Sequence, residues 1–256
     1  MKRILSRVGV GSARVDTVLP KTTLTAGESV EAEVHVEGGS AEQEVDAIYF
    51  ALLTRYKTDD STRTGVIDKF QVADPFTIGP DEEKTFPITI DVPVDTPVTV
   101  GRTNVWLETG LDIDWAVDPD DEDPVQIEPG PQLSTFLDAL DLLGFTLRTA
   151  ECEKAPGSIF SGAFVQELEF VSRSGPFSGK LDELEVVPTE TEGRLEVKLK
   201  STVAAASSPK WRTWTSDGHS FRSRTRARVG WNRNSAPKSS DTPESLDFVS
   251  LQIRRK

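Results

Sequence analysis

One short run of strictly alternating apolar and polar residues constrains the fold of this chain more than any other feature. From residue 30 to residue 37 the sequence reads Val-Glu-Ala-Glu-Val-His-Val-Glu. Successive side chains of a β-strand point to opposite sides, so this period of two predicts a half-buried strand with its valines and Ala32 inward. His35 then points outward with the glutamates, and we interpret it as a solvated strand residue, not a metal ligand.

Further β-type runs recur about every ten residues between residues 8 and 127, and Gly and Pro residues separate them. These runs are Val15–Leu19, Val45–Tyr56, Phe70–Val72, Phe76–Ile78, Thr85–Ile90 and Val105–Thr109. No helical pattern interrupts them, which is typical of an antiparallel β-sandwich. Proline cannot donate a hydrogen bond to a neighbouring strand, so we expect Pro87, Pro93 and Pro97 at edge positions or strand ends.

The pattern changes at residues 128–131, which read Glu-Pro-Gly-Pro. One apolar stripe then follows a helical period and stops at Gly144; it consists of Leu133, Phe136, Leu137, Leu140 and Leu143. Strand patterns resume afterwards, over residues 145–153, 163–171, 180–187 and 195–199. The sequence therefore predicts an all-β protein with tandem antiparallel β-sandwiches: a first domain over residues 1–128, a second that starts in residues 129–200, and one short helix where the second begins.

The charge is unevenly distributed along the chain. The formal net charge is −13, made up of −21 over residues 1–199 and +8 over residues 200–256. A strongly acidic surface disfavours nucleic acids and anionic lipids, and acids spread over every loop suit a halophilic source or an acid-rich cytoplasmic protein. Arg7 interrupts the apolar start of the chain, and the longest apolar run, residues 47–53, is too short to span a membrane. We therefore expect a soluble, cytoplasmic protein without membrane insertion.

The sequence contains few residues that could carry out chemistry. Cys152 is the single cysteine, and His35 and His219 are the only histidines, which excludes a disulfide scaffold, an iron–sulfur protein and a Cys-rich metal site. Hydrolase, phosphate-loop and zinc-protease motifs are absent, and the Gly9-Val10-Gly11 segment precedes a strand pattern where a dinucleotide-binding loop would precede a helix. Acidic neighbours raise the expected pKa of Cys152, so we interpret it as structural. We assign no catalytic, cofactor-binding or metal-binding residue and predict that the protein is not an enzyme.

An acidic stretch over residues 112–123 is similar in composition to a cation site. It lacks the glycine at the sharp turn and the bidentate glutamate of an EF-hand loop. We therefore interpret it as a solvated loop between two strands, with Trp115 anchoring the loop to the sandwich.

Several segments, in order along the first 199 residues, resemble one known family. They are Val8–Thr17, Gly27–Val30, Val36–Gly39, Thr109–Ile113 with Ala116–Pro119, and Phe170–Gly175 with Leu181–Glu185. They resemble the sporulation-control proteins of the stage-zero M type, a bacterial and archaeal family with an arrestin-like fold, and the acidic surface suggests a halophilic archaeon. The resemblance implies two β-sandwiches, no enzymatic activity and a scaffold or regulatory role. It supplies no catalytic residue.

The resulting functional hypothesis is a non-catalytic, arrestin-like scaffold or regulatory adaptor. It would bind an unidentified protein partner by pairing at a strand edge or in the concave surface between the two domains. The alternative is a carbohydrate-binding or hydrolytic β-sandwich, which would show surface tryptophans and a pair of carboxylates. Exposed strand edges also predict a homodimer that forms once salt screens the acidic repulsion.

The chain departs from the family pattern after Lys200. Residues 201–256 form an atypical basic tail with three of the five tryptophans, and no periodicity organises it. Three interpretations stay open: a shifted reading frame of GC-rich DNA, a natural disordered tail, or a nucleic-acid-binding arm with arginines at positions 222, 224, 226 and 228. Because unpatterned sequence would stand where the second sandwich needs strands, we predict that residues 201–256 are largely irregular or weakly packed.

Overall fold

A computed structural model describes residues 13–113, 120–155, 163–191, 193–202 and 210–215. These residues form fourteen strands, one α-helix and one 3₁₀ turn, which confirms the all-β prediction with one short helix. The strands are β1 (Arg14–Val18), β2 (Thr23–Thr25), β3 (Ser29–Glu37), β4 (Gln43–Lys57), β5 (Thr62–Ala73), β6 (Phe76–Ile78), β7 (Glu83–Asp91), β8 (Val105–Ile113), β9 (Asp120–Glu128), β10 (Phe145–Lys154), β11 (Phe164–Ser172), β12 (Glu183–Thr191), β13 (Arg194–Thr202) and β14 (Lys210–Thr215). The helix is α1 (Pro131–Leu142), and the 3₁₀ turn is Gly175–Phe177.

The chain divides into two compact units. The first contains the described residues of 1–130 and 151–165, and the second contains those of 131–150 and 166–256. In the first unit, one sheet has the order β1-β3-β7. The other has the order β4-β8-β9-β2, with β5 and β6 also paired to β4.

Strand β3 shows why the first unit is a sandwich. Its burial alternates residue by residue, and Val34 and Val36 are 0% and 1% exposed. These valines belong to one core with Phe50 of β4 and Leu111 of β8, which come from the opposite sheet. His35 is exposed on the outer side, with its Nε2 3.1 Å from Glu33 Oε2. The predicted strand, its inward face and the placement of His35 are confirmed.

Each proline of the strands lies at a strand edge or beyond the residues that pair with one of its two neighbouring strands. Pro87 is in β7, an edge strand, and Pro93 and Pro97 follow the end of that strand. Pro124 of β9 precedes the segment that pairs with β2. Pro188 of β12 lies beyond the residues that pair with β11. These placements agree with the rule that proline is confined to edges and strand ends.

The second unit contains α1, residues 145–150 of β10, residues 166–172 of β11, and strands β12, β13 and β14. The strand order in this part of the chain is β10-β11-β12-β13-β14. The helix buries Leu133, Phe136, Ala139 and Leu140, and the N–H of Leu143 still donates to Ala139. Gly144 then adopts a φ of +83°, a left-handed conformation that ends helices and that glycine adopts without strain. The predicted short helix and its glycine stop are confirmed.

The basic tail contains one strand that we did not predict. Residues 201–202 end β13, and β14 pairs with β13 in antiparallel register, with Trp211 opposite Lys200. The expectation of irregular structure is therefore wrong for residues 210–215. This segment is rich in tryptophan and threonine, residue types that favour strands, and β13 offers it an open edge. The tail arginines at 222–228, and the rest of the tail except residues 201–202 and 210–215, lie outside the described residues.

The contact between Gly110 and Tyr49 generates a stability prediction. These residues face each other across β8 and β4, and a side chain at position 110 would overlap the Tyr49 ring. Gly110→Val should lower the free energy of unfolding by about 1–3 kcal/mol, because overpacking displaces the ring and the strand below it. Urea unfolding followed by circular dichroism measures the change.

A double-mutant cycle tests whether the ring is the cause. In a Tyr49→Ala background the space is open, so Gly110→Val should destabilise the protein less than it does beside the native tyrosine. Equal losses in both backgrounds would contradict the explanation by overlap.

Candidate binding groove of the first unit

An open groove is lined in part by residues of the hairpin that β8 and β9 form. Its volume is about 1210 Å³. Its walls come from Thr22 before β2, Arg55 near the end of β4, the connection between β7 and β8, and both strands of the hairpin. All of these residues belong to the first unit. The groove is therefore a feature of the N-terminal sandwich itself.

One edge of β9 opens into this groove. Asp120 to Val125 pair with β8 on one side, whereas β2 pairs only with residues 126–128 on the other. The Gln126 N–H donates to the Thr22 carbonyl at 2.8 Å, which marks the side that faces β2. The backbone N–H and C=O groups of successive strand residues point to opposite edges of the strand. Those of Asp120, Glu122 and Pro124 therefore point to the same edge as those of Gln126. No described strand pairs with them there.

Trp106 and Arg55 form an aromatic–cation pair in the groove lining. Trp106 lies opposite Pro124 in the hairpin, and the Arg55 guanidinium carbon is 5.8 Å from the centre of the indole ring. This distance is within the range of a cation–π contact. The indole Nε1 is buried and has no hydrogen-bond partner among the described residues. The lining thus combines a ring whose face is covered by arginine with one unsatisfied N–H donor.

The outer face of the hairpin carries an excess of negative charge. Asp120 and Glu122 are exposed, and Glu122 lies directly opposite Glu108. The pKa of Glu108 is raised, first by burial and then by the charges of Glu122 and Asp120, while the Lys69 ammonium opposes the rise. Like charges that face each other across two strands destabilise the pair. This face therefore favours a cationic partner.

The inner face of β9 holds a second pair of acids. Asp121 is 6% exposed, and its Oδ2 accepts a hydrogen bond from the Thr17 N–H at 3.1 Å. The hydroxyls of Thr17 and Thr109 lie 2.6 Å apart beside it. Strand β1 pairs only with β3, so Asp121 satisfies a backbone donor at the open edge of β1. The carboxylate thus ties the small sheet to the large one.

The Asp121 and Asp123 carboxyls share a hydrogen bond, which requires a proton on one of them. Burial, followed by the charges of Asp121 and Asp16, raises the pKa of Asp123 to about 7. Burial also raises the pKa of Asp121, but the Thr17 N–H opposes that rise. We therefore place the shared proton on Asp123.

These acids correct the interpretation of residues 112–123 as a solvated loop. Asp112 lies in β8, and residues 120–123 form the start of β9. Residues 114–119, including Trp115, lie outside the described residues. In the part of the chain that the structure describes, no three His, Cys, Asp or Glu side chains are grouped so that they could hold a metal ion. Alternation did signal this strand, because Asp121, Asp123, Val125 and Ile127 continue one series with a period of two.

Cys152 lies in β10, as predicted, and is 2% exposed. Burial raises the pKa of its thiol to about 11, and the Glu151 charge adds to the rise. The Thr54 hydroxyl is 3.8 Å from its Sγ. A thiol of this kind is almost entirely protonated at neutral pH and is a poor nucleophile. His219 and the Gly9-Val10-Gly11 segment lie outside the described residues.

Comparisons with known proteins place these features in a family. The family model described as SpoOM protein matches residues 1–202. The sporulation-control protein spo0M of Bacillus subtilis (strain 168) is 42% identical over 200 residues, which are 77% of this chain and 78% of that protein. The crystal structure of Spo0M from Bacillus subtilis superposes with a TM-score of 0.71 at 41% identity, over 75% of this chain and 80% of the other. Separately, none of the described helices is both long and apolar enough to cross a membrane.

The Asp123 carboxyl should make stability fall as the pH rises. Its pKa is near 7 in the folded protein and about 4 in an unfolded chain, so the folded state holds the proton more tightly. The resulting stabilisation is complete below about pH 4 and is lost as the pH rises through about 7. Asp123→Asn should remove this loss and raise the free energy of unfolding at pH 8 by roughly 1 kcal/mol, after allowance for solvent screening.

Urea unfolding of both proteins at pH 5 and pH 8 measures this difference. Asp74→Asn, which removes an exposed carboxylate in the connection between β5 and β6, is the matched control and should leave the pH dependence unchanged. If Asp123→Asn and the native protein lose stability equally between the two pH values, Asp123 does not hold the proton.

The buried thiol generates a second prediction from this region. In native protein at pH 8, Cys152 should react with an aromatic disulfide reagent far more slowly than free cysteine, because it is both protonated and covered. The reaction should accelerate through the urea unfolding transition. Fast, complete labelling of the folded protein would show that the thiol is accessible and would contradict a purely structural role.

Proposed function

The chain belongs to the SpoOM protein family, and on that premise we propose that it is a regulatory adaptor that acts by binding another protein and catalyses no reaction. Its relative is named a sporulation-control protein, which supports a regulatory role. The process that this chain regulates need not be sporulation. We place the protein in the cytoplasm, and the acidic surface suits an environment in which salt screens it.

The observation that carries this proposal is the unpaired edge of β9 beside an open groove. An exposed strand edge is a template for a further strand, and many adaptor domains bind extended peptides by adding them to such an edge. Backbone hydrogen bonds then supply affinity, and the neighbouring groove supplies contacts for side chains. The β9 edge offers both within one unit.

Other edges of this unit are protected against pairing. Pro87 interrupts the hydrogen-bonding groups of β7. The Thr17 N–H at the edge of β1 already donates to Asp121. Two irregularities of register interrupt the pairing of β5 with β4, and irregularities of this kind twist an edge away from regular pairing. The β9 edge, by contrast, pairs with β8 in unbroken register, and its residues line the groove, which favours it as the binding edge.

A carbohydrate-binding or hydrolytic sandwich is the second candidate, because Trp106 and three acids line the same groove. The Arg55 guanidinium covers the indole face that a sugar ring would need. Asp121 and Asp123 hydrogen-bond each other, whereas the carboxyls of glycosidases stand about 5–9.5 Å apart around the scissile bond. These contacts favour the adaptor. Binding on a glycan array would support the alternative.

Affinity capture from native cells at high salt, with the full chain as bait, tests the adaptor. Glu122→Pro removes an N–H on the open edge of β9, so it should block strand addition while keeping the bonds to β8. We expect a specific protein partner with the native bait and at least about tenfold less of it with Glu122→Pro, detected by quantitative mass spectrometry.

Asp59→Pro, in the exposed turn between β4 and β5, is the matched control and should capture the partner normally. Absence of any specific partner with the native bait would overturn the adaptor proposal. Equal capture by the native and Glu122→Pro baits would assign the binding to another surface. A salt-dependent homodimer stays a separate prediction.

A further inference from the structure

Resting on the proposed adaptor function, we infer that the β9 edge takes an extended, basic segment of the partner protein, with Arg or Lys at two alternate positions and an apolar or aromatic residue at the next. The segment would add to β9 as a further strand. Three features of the groove carry this inference: the direction of the open backbone groups, the spacing of the acids beside them, and the Trp106 ring at one end.

The open backbone groups define where such a strand would bind. Asp120 and Glu122 each present an N–H and a carbonyl on the free side of β9, and Pro124 presents a carbonyl alone. A paired strand lies about 4.8 Å away, and its own backbone groups alternate with the same period. The backbone groups of these three residues are enough for a short stretch of regular pairing with an added strand. From Gln126 onwards the same edge of β9 pairs with β2.

The acids define which side chains the segment would carry. Asp120, Glu122 and Pro124 point to the outer face, where they lie opposite Gly110, Glu108 and Trp106 of β8. Successive residues on one face of a strand are about 6.8 Å apart, so an added strand places every second side chain beside them. Two of these positions face carboxylates, which selects cations there. The third faces Pro124 and Trp106, which selects an apolar or aromatic side chain.

Among the described residues, no ion pair neutralises Asp120 or Glu122, whereas Arg55 lines the groove beside Trp106. Asp120, Glu122 and Glu108 share one face, and Lys69 is the cation that acts on Glu108 from the neighbouring strands. The Lys69 ammonium lies 4.5 Å from the centre of the Tyr49 ring. Bound cations beside Glu122 and Asp120 would relieve the repulsion that raises the pKa of Glu108. An acidic or phosphorylated segment would increase that repulsion.

Trp106 adds a contact that a purely electrostatic surface lacks. Its buried Nε1 has no hydrogen-bond partner among the described residues, and an unsatisfied buried donor costs about 1–3 kcal/mol. An acceptor of the bound segment that reached this N–H would satisfy it. The ring would also pack against the apolar position of the segment, next to Arg55.

A synthetic peptide probes this site without knowledge of the natural partner. The probe has the sequence Thr-Arg-Thr-Arg-Thr-Leu-Thr, and the control peptide Arg-Arg-Thr-Thr-Thr-Leu-Thr has the same composition and charge without the alternation. Isothermal titration calorimetry with the full chain should show saturable binding of the probe. The control peptide should bind about tenfold or more weakly, because it cannot place both cations on one side of a strand.

Protein variants locate the binding site. The double variant Asp120→Asn with Glu122→Gln should weaken binding of the probe about tenfold, as two ion pairs are lost. Asp59→Asn with Asp60→Asn removes the same charge from the exposed turn between β4 and β5 and should leave binding unchanged. No binding of the probe, equal affinity for both peptides, or equal losses in both double variants would overturn the inference.

The experiments distinguish failure of the adaptor proposal from failure of the inference that its partner segment is basic. If affinity capture finds a partner that Glu122→Pro loses while the basic peptide does not bind, the adaptor stands and only the chemistry of its partner is wrong. If no partner is captured but the peptide binds with the expected specificity, the site exists and the adaptor role is wrong.

Discussion

The first unit depends on one constraint, which is that each of its sheets must bury a single face against the other. In β3 the side chains that meet this requirement are Val30, Ala32, Val34 and Val36, all nearly inaccessible to water. A shift of one residue in the pairing of β3 with β1 or β7 would expose these four side chains and bury three glutamates and His35. The register of the small sheet, and with it the position of β1 beside Asp121, follows from this burial.

How far the sequence predicts the structure depends on whether the deciding interaction is local. The period of β3 and the stripe of α1 that stops at Gly144 are visible in consecutive residues, and both were predicted correctly. The start of β9 was missed because aspartate is depleted in strands, and the partner that makes Asp121 acceptable there, Thr17, lies 104 residues away in sequence. Strand β14 was missed for a similar reason, since it needs the open edge of β13.

The candidate groove could not be predicted from the sequence either, because it depends on contacts between residues that are distant in sequence. Trp106 was recognised as a strand residue, but no sequence pattern places the Arg55 guanidinium over its ring. The structure shows that β9 uses its two faces differently: Asp121 and Asp123 face inward and hold β1, whereas Asp120 and Glu122 face outward beside an open edge. A single strand therefore contributes both to the cohesion of the sandwich and to the surface that we assign to a partner.

The proton shared by Asp121 and Asp123 also changes how the charge of this protein is counted. The formal charge of −13 treats every carboxyl group as ionised. Because burial raises the pKa of Asp123 to about 7, this carboxyl retains a proton at pH values where an exposed aspartate is ionised, and the folded protein is then less negative than its composition indicates. Any event that changes the surroundings of this pair then exchanges protons with the solution, and its calorimetric heat depends on the ionisation enthalpy of the buffer.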